Sequence, residues 1–118
     1  MSGSRGGPGG GRSMIVNEAQ AGGEVALAPG EELTVRLREN PGTGYRWAVD
    51  SAAGLQLEGE HNEVGAAPGG AGVREFHFRA GPAGDHELRL KQWRAWQGEA
   101  GVVERFSLRV RIAAGAEG

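Results

Sequence analysis

Apolar and polar residues alternate along most of this chain. Val25 and Leu27 keep a spacing of two, as do Leu33, Val35 and Leu37, then Tyr45, Trp47 and Val49. The pattern returns at Leu55 and Leu57, at Phe76 and Phe78, at Leu88 and Leu90, and through Phe106, Leu108, Val110 and Ile112. A period of two marks strands with one face buried. Turn-forming residues separate the runs: Ala28-Pro29-Gly30, Asn40 to Gly44, Pro68 to Gly72, Gly81 to Asp85 and Gly98 to Gly101. The expected strands are 14–20, 24–28, 32–39, 45–50, 55–63, 73–80, 85–93 and 102–112, the last two paired as a hairpin around Arg94 to Gly101. No stretch holds a helical period. The fold class is therefore all-β, a sandwich or barrel of about seven to eight strands.

The chain has 118 residues, enough for one domain with a real core. Residues 1–13 are Gly, Ser, Pro and Arg apart from Met1, with nothing to bury, and are expected to be a disordered Gly-rich N-terminal tail. The folded domain is expected over 14–113, with 114–118 a frayed end. The first residues also lack the apolar core of a signal peptide. As written the chain is expected in the cytoplasm, or in the periplasm or outside the cell if a leader has been removed. The formal net charge is -2 and no basic stripe appears, which argues against nucleic acid. No apolar run is long enough for a membrane helix. There is no cysteine, which excludes disulfides and thiolate chemistry. No long apolar stripe demands a dimer, so a monomer is expected. The high Gly, Ala and Arg content points to a GC-rich bacterial genome.

Three loops stand out. In Asn40-Pro41-Gly42-Thr43-Gly44-Tyr45-Arg46-Trp47, Pro41 fixes its own φ and extends Asn40, while Gly42 and Gly44 leave Thr43 at a bare apex. Taken alone, this is also an ordinary strand connection. The second loop, Gly69-Gly70-Ala71-Gly72, carries almost no side chains. It lacks the Lys-Ser/Thr and the following helix of a phosphate-binding loop, so a nucleotide is rejected. In the third, Trp93 and Trp96 bracket Arg94-Ala95 where the alternation breaks. At least one of these tryptophans should face solvent, as a binding anchor or as a cap on the sandwich end. Trp47 should be core.

Enzymatic readings find little footing. His61, His77 and His86 lack metal-ligand spacing and fall in different strands, so no metal or other cofactor is expected. The serines have no nucleophile-elbow context. Glu58, Glu60 and Glu63 lie on one strand and read as a solvated face.

Together, in order and spacing, the three loops resemble the chagasin-type inhibitors of papain-like cysteine proteases. That family's pattern is Asn-Pro-Thr/Ser-Thr-Gly-Tyr/Phe-x-Trp, then Gly-x-Gly-Gly, then Arg-Pro-Trp. The likeness spans about Met14 to Ile112, with Gly42, Ala71 and Ala95 departing from the pattern. The resemblance implies an immunoglobulin-like β-sandwich that is not an enzyme and whose partner is a papain-like cysteine protease. It implies that Thr43 enters the catalytic cleft, that the glycine loop runs along the non-primed side, and that Trp96 packs on an aromatic of the primed side. Asn40, Pro41, Gly42, Gly44, Arg94 and Ala95 complete the expected contact set. The same loops also suit a binding module for a carbohydrate or another surface protein.

Overall fold

The computed structural model describes residues 13–63 and 72–114. Eight strands form two four-stranded sheets: β1 (Ser13–Val16), β3 (Glu32–Glu39), β6 (Gly72–Ala80) and β5 (Leu55–Glu63) in one, in the order β1-β3-β6-β5. The other holds β2 (Glu24–Leu27), β8 (Glu104–Ile112), β7 (Gly84–Trp93) and β4 (Arg46–Ser51), in the order β2-β8-β7-β4. Two short strands, β1 and β2, lie parallel to β3 and β8 at the sheet edges, and the remaining pairs are antiparallel. The predicted hairpin of the last two strands is present, with Leu88 opposite Leu108.

The alternating residues face inward as the spacing requires. Phe76, Phe78, Leu33, Leu37, Leu88, Leu90 and Leu108 are the large, fully buried side chains between the sheets. Trp47 is buried with them. Leu57 departs: alternation with Leu55 points it inward, yet it is exposed on the edge strand β5, beside a register shift between Leu57 and Gly59.

Strand ends differ from expectation where turns compete. The first strand stops at Val16 rather than running to residue 20. The Asn17 side chain accepts from the Ala19 amide (2.8 Å), and the Gln20 side chain accepts from the Asn17 amide (2.7 Å), which starts a 3-10 turn over Glu18–Gln20. Strand β8 begins at Glu104 because Val102 still donates to Glu99 (3.2 Å) to close the preceding turn. Ser13, assigned above to the tail, pairs with Glu32, and Ala113 donates to Leu27 (2.9 Å).

The register fixes where the loops lie. Glu39 at the end of β3 faces Gly72 at the start of β6, and Glu63 at the end of β5 faces Val73. In the other sheet Arg46 faces Trp93, and Gln92 faces Glu104. The connections after β3, β5 and β7 therefore leave from the same end of the sandwich.

Candidate functional site: a three-loop edge

The first loop is a single 3-10 turn, Pro41–Thr43, held by its own polar groups. The Asn40 side chain accepts from the Gly42 amide (3.2 Å). The Thr43 amide and hydroxyl both donate to the Asn40 carbonyl (3.4 and 3.1 Å), and the Tyr45 amide donates to the Thr43 hydroxyl (3.2 Å). Gly44 leaves the turn at φ +82°, where a side chain would be strained. Thr43 is exposed at the apex, as the spacing predicted.

The third loop grips the first. Arg94 donates twice to the Thr43 carbonyl, from Nε (3.1 Å) and Nη2 (2.8 Å), and its guanidinium lies 4.2 Å from the centre of the Tyr45 ring. Trp96 follows in a 3-10 segment that begins at Ala95. It is 74 % exposed, yet the edge of its ring passes so close to Gly44 that a Cβ there would meet it at 3.1 Å. The two loops form one surface, with Trp96 against Gly44, the residue after Thr43. Trp93 is half-buried under Lys91, whose ammonium sits 3.8 Å from the ring centre.

Lys91 and Arg105 both reach Glu99 (2.8 and 2.9 Å), tying the far side of the third loop to β7 and β8. The hydrogen bonds from Lys91 and then Arg105 hold the Glu99 carboxyl below the ordinary glutamate range.

Of the second loop, Gly69, Gly70 and Ala71 lie outside the described residues. Gly72 is described, and it packs against its own chain: a Cβ there would lie 3.0 Å from the Glu39 carbonyl. Its bareness serves this close approach of β3 and β6.

Beneath the edge lies a buried ion pair that the loop motifs did not signal. The Glu39 side chain is fully buried at the end of β3. It accepts from Arg74 Nη2 (2.7 Å) and Nε (3.1 Å) across its own sheet, and from the Trp47 amide (2.8 Å) in the opposite sheet. Arg74 also bonds Glu60 (3.0 Å), and Arg46 approaches Glu39 from outside (3.6 Å). The hydrogen bonds that Arg74 donates to Glu39 raise its pKa above its already high value. The Trp47 indole donates to the Arg38 carbonyl (2.8 Å). Both strands that carry the first loop are thus fastened at its base. The parity of the alternation did carry this signal: Glu39 continues Leu33, Val35 and Leu37, and Arg74 precedes Phe76 and Phe78 on the inward face.

The profile described as Chagasin family peptidase inhibitor I42 matches residues 26–110, most of the sandwich and all three loops. The chain belongs to the chagasin family. Chagasin of Trypanosoma cruzi is 29 % identical over 104 residues, covering 81 % of this chain and 94 % of the relative. Amoebiasin-1 of Entamoeba histolytica is 30 % identical over 102 residues, covering 84 % and 99 %. The crystal structure of the cysteine protease inhibitor EhICP2 from Entamoeba histolytica shares the fold, with a TM-score of 0.74 at 19 % identity over 91 % of this chain and all of that one. These relatives are protozoan and lend no support to the bacterial source suggested by composition.

Two departures from the chagasin pattern now have positions. Gly42 sits inside the first 3-10 turn at an ordinary φ, with room for a side chain. Ala95 occupies the first helical position after Arg94, the place where proline is most readily accommodated. Glu58, Glu60 and Glu63 are exposed as expected, but each is paired, with Arg79, Arg74 and Arg36.

Proposed function

We propose that this chain is a reversible, competitive inhibitor of papain-family cysteine peptidases. It fills the active-site cleft with Asn40–Gly44, Gly69–Gly72 and Arg94–Trp96. The observation that carries the reading is the locking of the first loop by the third, through Arg94 on the Thr43 carbonyl and Trp96 against Gly44. A loop already ordered loses little entropy on docking, so contact area converts efficiently into affinity. An interface of about 1,600 Å² in total is sufficient.

Thr43 leads into the cleft and Trp96 anchors beside it on the primed side. The reading asks for no bond-breaking by the chain itself. A peptidase cleaves a bond presented in extended form. Here the Thr43 peptide is wound into a 3-10 turn, and its hydroxyl is engaged by the Asn40 carbonyl and the Tyr45 amide. Such a loop occupies the cleft as a poor substrate.

Titration against papain with a fluorogenic substrate tests this. Competitive inhibition is expected, abolished by Thr43→Trp because the apex then no longer fits. Trp96→Ala should weaken it by about 2 kcal/mol or more, roughly thirtyfold. No inhibition at a large excess of the chain over papain would refute the reading.

A further inference from the structure

The histidines set aside for want of ligand spacing are brought together by the register of β5 and β6. His61 on β5 stands directly across from Glu75 on β6, and His77 stands two residues further along. The imidazoles of His61 and His77 stack, with centroids 5.8 Å apart and planes at 20°. Gly59, opposite His77, leaves open space that a side chain would otherwise fill. One oxygen of Glu75, Oε1, lies 3.2 Å from His61 Nε2 and 3.0 Å from His77 Nε2. One ligand atom from each of the three residues falls within 4.8 Å of the others.

We propose that His61, Glu75 and His77 form a binding site for a zinc-class divalent cation on the outer face of the β1-β3-β6-β5 sheet. Two imidazole nitrogens and one carboxylate oxygen suit zinc, nickel or copper; calcium and magnesium want more oxygens. A tetrahedral ion with bonds of about 2.0–2.1 Å has donors about 3.3 Å apart. The two carboxylate–imidazole separations are already close to that edge. The His61 side chain is half exposed and free to swing the last ångström or so.

The surroundings favour the same arrangement. Arg36 holds the other Glu75 oxygen, Oε2, which aims Oε1 at the histidines as a single ligand atom. Thr34 Oγ1 lies 3.3 Å from His77 Nδ1. A hydroxyl both donates and accepts, so it can accept a hydrogen bond from Nδ1–H, which leaves Nε2 with its lone pair for a cation. In the tautomers that carry the proton on Nε2, both rings donate to Glu75; when a metal binds, each of these protons moves to Nδ1 or is released to solvent, one ion takes their place, and its fourth position opens to water. All three ligands sit on strands rather than loops, which keeps their backbone spacing fixed. The ion would tie β5 to β6.

The test uses the untagged full-length chain after EDTA treatment. Calorimetric titration with zinc should show one saturable site, and magnesium should show none. Thermal unfolding should shift upward by about 5 °C or more at zinc concentrations far above the dissociation constant. His61→Ala and Glu75→Gln should each weaken zinc binding at least tenfold. In the wild-type chain, zinc should shift the imidazole signals of His61 and His77 but not of His86, which bonds the Pro82 carbonyl elsewhere (3.2 Å). An absence of saturable binding, an unchanged affinity in His61→Ala, or an equal shift at all three histidines would each overturn the assignment.

Discussion

Removing the Glu39 carboxylate should unfasten the edge from beneath. In Glu39→Ala, the Trp47 amide and two nitrogens of Arg74 lose their acceptor inside the sandwich. Arg74 keeps Glu60 but remains mostly buried, with 14 % of its side chain exposed. Breaking a buried pair by deleting one partner costs about 3–5 kcal/mol, because the other charge stays behind. A domain of this size has about 5–15 kcal/mol in total. The melting temperature should therefore fall by about 15 °C or more. Glu39→Gln keeps one acceptor oxygen for the Trp47 amide but loses the charge and turns an NH2 group towards the Arg74 nitrogens that Oε2 now accepts from, so a cost of about 1.5–3 kcal/mol is expected. Urea denaturation of the wild type and both variants measures the order. Adding Arg74→Leu to Glu39→Ala should recover part of the loss, since the stranded charge is then gone. A cost below about 1 kcal/mol for Glu39→Ala, the range of an exposed ion pair, would refute the reasoning.

Ala95→Pro should stabilise the chain by about 0.4–1 kcal/mol. Arg94 already has the extended backbone that a following proline demands, with φ -102° and ψ 113°, and thermal unfolding reads the gain. Gly44→Ala should cost about 1–2 kcal/mol from the left-handed backbone and push Trp96 off the first loop; denaturation and a change in tryptophan emission report the two effects. Glu99 has a lowered carboxyl pKa in the folded chain, so its contribution is fully present above the ordinary value of 4.5 and is lost as pH falls through the depressed one. The melting temperature of the wild type minus that of Glu99→Gln should therefore be positive near neutral pH and shrink towards zero in acid.

The strands were legible because burial on one face of a sheet forces a spacing of two, and Leu33 to Leu37 or Phe106 to Ile112 keep it without interruption. Their exact ends were less so. Asn17 and Gln20 form a capping box whose spacing is visible in sequence, and it ends the first strand by offering the amides another set of acceptors. A common end for the loops was implied by the family resemblance, and the meeting of the first and third rests on the pairing of Arg46 with Trp93. What no spacing reveals is a cross-strand encounter. His61 reaches Glu75 and His77 only because the irregularity between Leu57 and Gly59 sets the register of β5 on β6. Arg94, named above in the expected contact set, also holds its own chain through two hydrogen bonds to the Thr43 carbonyl. That role depends on a carbonyl direction that side-chain identity does not encode.

Amide hydrogen exchange of the chain, alone and saturated with papain, tests the central claim most directly. Protection is expected at Gly42 to Tyr45 and at Ala95 to Gln97, with none added at Gly30, Gly81, Ala83 or Gly84 on the opposite end of the sandwich. Protection confined to that opposite end, or spread over the sheet faces while Thr43 and Trp96 stay unchanged, would contradict it.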